Sequence, residues 1–567
     1  MAFVLLFALM GSRLFVLQIV ESDRFQAIAA AQRQTVVEFP ARRGAILDRD
    51  GDTLAISVDT QMVVADPSMI EDPLGTAQKL APVLGLKPNP VARSLQGSAP
   101  TDRFEYVARQ VEPAVAKRVK RLGLAGVFLR DDPKRVYPNG RVASHLLGFV
   151  NIDGSVKEGI EAQYDEVLEG SPGRMSLERD PSGRPLPQAE YSYERPTPGR
   201  SLLLTVDKDI QYFTELTLAD AVRRYRAASG TAIVVRPNTG EILALANVPN
   251  FDPNRYGESH ADERRNRALT DVYEPGSVFK IVTASAALAE GVVTPNTTYV
   301  VPDELPVADR VIHDSHYHET EAMSVTRIIK ESSNVGTVKI GLDLGERRLS
   351  AYLRKFGFGV RTGLDFPGES SGIVPPVEYW SGSSIANIPI GQGIAVTPIQ
   401  MLSAYATIAN NGVWVEPKLL RGSVDGEGGA LGSAPPTRRR VVPRSAARQV
   451  TEILRGVVVE GTGTEAQIPG YDVAGKTGTA QKVKDGEYVD RYFASFAGYA
   501  PAKHAQIAAI VVLDEPTPIW GGSTAAPTFK LIMQRALREL GVAPTLDAER
   551  SAEAIAEDRD NELSTQD

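Results

Sequence analysis

The twenty residues that open the chain, MAFVLLFALMGSRLFVLQIV, constrain its fold more than any other stretch. At helical rise they reach roughly 30 Å, the thickness of a bilayer's hydrocarbon core. The run is long and apolar enough to cross a membrane, and residues 1–22 are read as a single-pass anchor. Arg13 and Gln18 sit toward its C-terminal end, where an arginine snorkels to the interface. No basic residue precedes the run, so the positive-inside rule does not orient it, and a short basic cytoplasmic tail is expected upstream. The rival reading is a cleaved signal peptide with a small-residue site in AIAAA, Ala27 to Ala31. Either way the bulk of the chain is expected outside the cytoplasm, held at the cytoplasmic membrane.

The rest of the chain is too long for one core. A chain of 567 residues divides into two or more domains, and 43% hydrophobic with 23% charged residues is the balance of a sequence that folds. A net charge of −8 gives no electrostatic reason for nucleic acid to bind. The basic clusters AKRVKRLG (Ala116 to Gly123) and RRR (Arg438 to Arg440) are short and dispersed, and both are read as solvated faces. The absence of cysteine excludes disulfides, thiolate metal sites and cysteine catalysis, and leaves the redox compartment open.

Alternation and turn residues organise the remaining length. QTVVEFPARRGAILDRDGDTLAIS, Gln34 to Ser57, predicts a hairpin about Asp50-Gly51. EPAVAKRVKRLG predicts an amphipathic helix, GVFLR a strand, and RVYPNGRVASHLLGFV a turn with a short helix. The Pro-rich stretch Pro181 to Arg200 marks a domain boundary. Beyond it, LLLTVDKDIQ reads as a strand entering a helix and GTAIVVRPNTGEILALANVPN as two strands about a turn. Tyr492 to Ala500 and Ala505 to Pro516 predict further strands, FKLIMQRALREL a terminal helix, and helices are expected near Ser277 and over Thr397 to Ile408. The class expected is mixed α/β: antiparallel strands with helices on both faces. Arg421 to Arg440 is expected to be a mobile loop, and the acidic tail, residues 542–567, to be disordered.

Three short motifs occur in order. Ser277-Val-Phe-Lys280 contains the one serine with lysine three residues on, followed by Ser332-Ser333-Asn334 and then Lys476-Thr477-Gly478. Each has a plain structural alternative: Ser277 as a helix cap, Ser332 and Asn334 as a polar loop after VTRIIKES, Lys476 as a surface lysine on an edge strand. His313, His316 and His318 crowd VIHDSHYHET, but this spacing has no established metal geometry, so they are read as solvent-facing or cleft residues. Gly391-Gln392-Gly393 lacks the strand and glycine spacing of a phosphate loop.

As an ordered set, the motifs resemble the penicillin-recognising serine acyltransferases and hydrolases. YEPGSVFK, ESSNVG, DFPGESSG, GIAVTPIQMLSAYATIANNG, VVVEGTG and AGKTGTAQK together resemble a class B penicillin-binding protein, a monofunctional transpeptidase of peptidoglycan synthesis. RRGAILDRDGDTLA, RVYPNGRVASHLLGF and EGIEAQYDEVLEG resemble that family's non-catalytic pedestal. The resemblance runs from about Leu14 to Leu540. It implies an anchor (1–22), an α+β pedestal for dimerisation or partner binding (23–195) and a transpeptidase domain with a mainly antiparallel sheet flanked by helices (200–541). The lead Tyr-Glu-Pro-Gly is more similar to the division-specific branch than to the elongation branch.

The resemblance also implies a chemistry. Ser277 would be the nucleophile, with Lys280 as its base one helical turn away. Lys280 must then be neutral, which asks for a pKa about three units below 10.4, or roughly 4 kcal/mol. Burial, a helix N-terminus and Lys476 as a second cation would all push that way. The N–H groups of Ser277 and Thr479 would form an oxyanion hole, one donor being typically worth about 3–4 kcal/mol. Thr477 and Lys476 would hold the substrate's terminal carboxylate, and Gly478 would let its backbone approach. The resemblance implies that Ser332 relays a proton to the leaving amine and that Asn334 orients Lys280 and a substrate amide. It implies D,D-transpeptidation of stem peptides on peptidoglycan or lipid-linked precursor strands, acylation by β-lactams, no metal and no cofactor, and partnership with a SEDS-family glycosyltransferase and other division proteins. A D,D-carboxypeptidase or β-lactamase is the first alternative, although no Glu-x-x-Leu-Asn stretch occurs. A division scaffold with a secondary catalytic site is the other. No glycosyltransferase region is visible.

Overall fold

The structure, a computed structural model, describes residues 1–21, 34–97, 103–178, 192–425, 429–484 and 486–545. The small-residue site at Ala27 to Ala31, much of the Pro-rich boundary stretch and the acidic tail from Leu546 lie outside them. Ala2–Phe15 is α-helical and Val16–Val20 continues it as a π-helical turn. None of Phe3–Val20 is buried against the rest of the chain, so the apolar surface of this helix has no protein partner among the described residues.

The predicted hairpin forms. Ile46–Leu47 pairs antiparallel with Thr53–Val58, and Asp48 Oδ1 accepts the N–H groups of Asp50 and Asp52 at 2.9 and 2.8 Å, closing a turn in which Gly51 has φ +93°. Three segments of the N-terminal part, around Arg43, Arg135 and Glu161, converge on one carboxylate. Glu161, with no exposed surface, accepts from Arg43 Nε at 2.6 Å, Arg135 Nε at 2.7 Å and Tyr137 Oη at 3.2 Å. One acid serving two buried arginines satisfies all three only while every partner stays. An outer lobe is built on Gln61–Ala65, flanked by Glu105–Val111 and Val127–Asp131 and covered by Pro73–Leu84, Pro88–Gln96 and Pro113–Arg121. On the last helix Ala116 and Val119 are buried while its lysines and arginines face solvent, as the sequence predicts.

The larger half is organised on five antiparallel strands, β1 (Ser229–Val235), β2 (Ile242–Val248), β3 (Ala474–Lys484), β4 (Glu487–Ala500) and β5 (Ile507–Asp514), in the order β2-β1-β5-β4-β3. Its helices are α1 (Lys208–Arg224), α2 (Lys280–Ala289), α3 (Asn334–Leu344), α4 (Pro398–Ala409), α5 (Arg444–Glu460) and α6 (Ala525–Glu539). α1 and α6 pack through Leu218, Phe529 and Met533 on one face of the sheet. α2 and α4 belong to the core on the other. Every residue of α2 from Lys280 to Leu288 is buried, the mark of a core helix rather than an amphipathic one.

Arg421 to Arg440 departs from expectation. Leu420–Val424 pairs with Ser201–Leu204 and with Ala430–Gly432, Arg438–Arg440 pairs with Val413–Val415, and the Arg439 guanidinium lies 3.6 Å over the Trp414 ring. Glycine and proline content suggests a loop, and RRR a solvated face. These strands take their order from distant partners, which local composition does not report. Ser201–Leu204 also pairs in parallel with Ile46–Leu47, so one sheet runs through the junction between the halves.

The junction is polar as well. Asn254 bonds both the N–H and the carbonyl of Tyr137, at 3.0 and 2.9 Å. Glu215 of α1 accepts from Ala143 N at 2.9 Å and Gln211 Nε2 at 2.6 Å, and burial pushes its carboxyl up to about 7. A carboxyl raised on folding from 4.5 stabilises the fold below that value and loses the contribution as pH rises through 7. The Tm of the wild type should therefore fall between pH 5 and 8 by scanning calorimetry, and Glu215→Gln, which keeps both acceptor bonds, should flatten that fall.

Candidate functional site

Ser277 lies on a tight turn. Gly276–Phe279 forms a 3-10 turn that runs directly into α2, and in 3-10 geometry residues i and i+3 eclipse, so Ser277 sits over Lys280 more squarely than on an α-helix. The turn is gripped from three sides. Gly276 N donates to Gly391 O at 3.0 Å, Tyr405 Oη donates to Val278 O at 2.9 Å, and Glu274 accepts from Gly393 N at 2.8 Å and Tyr488 Oη at 3.0 Å. Gly391-Gln392-Gly393 thus cradles this turn, and a Cβ on Gly391 would meet Gly276 O at 2.3 Å.

Close packing gives Gly478 a further reason, beside the approach of substrate backbone expected for it. A Cβ there would lie 2.5 Å from Ser495 Oγ and 2.9 Å from Val278 Cγ1, so the missing side chain lets the serine turn seat against β3. The contact brings Gly276 beside Thr479 and Ala480, with Ser277 next in sequence. β3 is the edge strand of its sheet, so one row of its backbone groups is left unpaired by the sheet. Thr479 Oγ1 accepts from Gly521 N at 3.2 Å.

Lys280 has no exposed surface. Its Nζ donates to Ser332 O at 2.5 Å and Asn334 Oδ1 at 2.7 Å, with Ser332 Oγ at 3.3 Å. Ser277 Oγ takes no hydrogen bond among the described residues, so the ammonium is held by the second motif rather than by the serine. Burial brings Lys280 down to about 7, against the opposing pull of Asp314. Lys476 is also fully buried, and burial together with the charge of Lys280 holds it well below the usual lysine range. Desolvation is the main cause of the lowering at Lys280, and the repulsion between the two buried ammonium groups, which is mutual, disfavours charging both at once. Lys476 Nζ reaches Thr477 Oγ1 and O at 3.3 Å and Thr462 Oγ1 at 3.5 Å, and the two threonine hydroxyls are 2.7 Å apart.

Two contributors escape sequence reasoning. Thr462 lies in VVVEGTG, a family-like stretch with no role attached. Asp314 lies among the three crowded histidines. Its carboxylate accepts from Ser333 Oγ at 2.7 Å, from the N–H groups of Asn334 and Val335, and from His318 Nε2 at 3.0 Å. It thereby caps α3 and fixes the motif carrying Ser332, which is held at φ +65°, a conformation that costs a non-glycine residue about 1–3 kcal/mol. The three imidazoles face different neighbours: His318 sits on Asp314, the His316 ring is 6.0 Å from Trp520, and His313 lies 3.8 Å from Glu304. The spacing Asp-x-x-x-His is the signal available for the Asp314–His318 pair.

The arrangement is a partly exposed hydroxyl over a buried lysine of lowered basicity, facing a second lysine and the edge of a sheet. Residues 230–534 match the family described as penicillin binding protein transpeptidase domain, and residues 38–204 the penicillin-binding protein dimerisation domain. The chain is 35% identical to penicillin-binding protein PbpB of Mycobacterium tuberculosis, covering 92% of this chain and 81% of that one. It is 35% identical to peptidoglycan D,D-transpeptidase FtsI of Escherichia coli, covering 93% and 89%. The solved structure of penicillin binding protein 3 from Mycobacterium tuberculosis complexed with aztreonam superposes with a TM-score of 0.72 at 31% identity, over 90% of this chain and 98% of that one.

Because Asp314 raises what burial lowers, Asp314→Asn should move the titration of Lys280 downward from about 7. Titration of the lysine side-chain signals by NMR, with Lys280→Arg to assign the resonance, checks the direction.

Proposed function

The chain belongs to the class B penicillin-binding proteins, and from that premise we propose that it crosslinks stem peptides of septal peptidoglycan through an acyl-enzyme on Ser277. In this reading neutral Lys280 takes the Ser277 proton as Oγ attacks the carbonyl between the two terminal D-alanines of a donor stem. The oxyanion is received by the N–H groups of Ser277 and Thr479. Thr477 and Lys476, on the edge strand, bind the terminal carboxylate, whose negative charge favours the protonated form of Lys476 while Lys280 stays neutral. The proton then passes to the departing D-alanine amine through Ser332, whose Oγ is 3.3 Å from Lys280 Nζ, as the C–N bond breaks and the ester remains. Asn334, at 2.7 Å from Nζ, orients Lys280, and an amine of a neighbouring stem displaces Ser277. The observation that carries this reading is Lys280: fully buried, poised at about 7 and within reach of a relay hydroxyl.

The septal assignment rests on Tyr273-Glu274-Pro275-Gly276 and on relatives such as FtsI. Phe3–Val20 would anchor the chain in the cytoplasmic membrane with the bulk outside, and that helix with the pedestal would engage a SEDS-family polymerase and other division proteins. Residues 1–22, 23–195 and 200–541 would be anchor, pedestal and catalytic domain.

Ser277→Ala should abolish labelling by a fluorescent penicillin and the formation of crosslinked dimers from stem-peptide substrate; retained labelling would sink the nucleophile. Ser277→Ala should also fail to replace the wild type in dividing cells despite normal membrane assembly, and success would favour the scaffold. A base that works deprotonated gives an acylation rate that rises with pH through about 7 and levels above it, measurable by stopped-flow with a chromogenic cephalosporin.

A further inference from the structure

Away from Ser277, a cavity of about 280 Å³ opens where α4, the first half of α5 and the turn after β4 meet. Arg444, Arg448, Lys503 and His504 line it, with Asn411 and Glu452. The single carboxylate is already engaged: Glu452 accepts from Arg455 Nη1 at 2.5 Å, and Arg455 turns its Nε to Asp472. Arg444 is steadied by the uncharged amide of Asn411, at 3.2 Å from its Nε. Neither Arg448 nor Lys503 has a hydrogen-bond or ion-pair partner among the described residues. In a chain of net charge −8, these exposed cations line one cavity whose single carboxylate is already paired with Arg455.

Like charges that share a concave surface repel, and an anion between them relieves the repulsion. Two guanidinium groups offer planar forks of donors and Lys503 a point charge, a set that suits an oxyanion with several oxygens and more than one negative charge. A carboxylate would answer only one of the three cations. The geometry points to a binding site for a phosphate group, free or esterified in a lipid headgroup. The assignment is independent of the reaction at Ser277.

The test uses the full chain in neutral detergent. Inorganic phosphate titrated calorimetrically at constant ionic strength should bind saturably, at least tenfold more weakly to Arg448→Ala/Lys503→Ala, and not detectably to Arg448→Glu. Both variants should be acylated by fluorescent penicillin at the wild-type rate, which reports an intact fold. Reconstitution into nanodiscs separates the sources. If a lipid headgroup is the occupant, phosphatidylglycerol discs weaken the phosphate titration relative to phosphatidylcholine discs; equal titrations assign free phosphate. Absence of saturable phosphate binding, or equal affinity in wild type and the double variant, overturns the proposal.

Discussion

A lysine without water is the constraint on which the site depends. Lys280 begins a helix whose residues are buried from Lys280 to Leu288, so no rotation of α2 would return its ammonium to solvent. What the protein provides instead is one carbonyl and one amide oxygen from the Ser332–Asn334 motif and a carboxylate one step further away. Those groups hold the amine in position without a direct counter-charge, and this keeps its basicity near neutrality rather than restoring it. A carboxylate in contact with Nζ would undo the arrangement, since a close opposite charge favours the protonated lysine.

Much of this is legible in the sequence, for identifiable reasons. Strands with continuous apolar runs such as TAIVV and AAIVV, and helices bounded by Thr397 or Asp207, carry their signals locally. The three motifs are legible because their spacing is a chemical requirement. Less legible is everything that depends on what distant segments do to one another. Asp314 reads as one acid among three histidines until the fold brings it beneath Ser333 and Asn334. Gly391 reads as a loop glycine until the serine turn is seen seated against it, and Gly478 also packs against that turn. Arg438–Arg440 reads as charge until Trp414 lies beneath Arg439.

The same division holds in the pedestal. RRGAIL, RVYPNG and EGIEAQYDE read as separate stretches, and nothing in any of them names its partner. Folded, they supply Arg43, Arg135 with Tyr137, and Glu161, a network in which no member can be altered without stranding another in a place water does not reach.

The strand Ser201–Leu204, paired on one side with Ile46–Leu47 and on the other with Leu420–Val424, has a mechanical consequence. Its backbone ladder joins the segment at Ile46–Leu47 to the one at Leu420–Val424. The outer lobe has a separate sheet among the described residues and is tied to the hairpin at Asp132, whose N–H donates to Thr60 O at 2.9 Å and whose carboxylate accepts from Arg109 Nε and Nη2 at 2.8 and 2.9 Å. The segments at Ile46–Leu47 and Leu420–Val424 therefore share one continuous sheet, so a displacement of either segment is carried through backbone hydrogen bonds into the other.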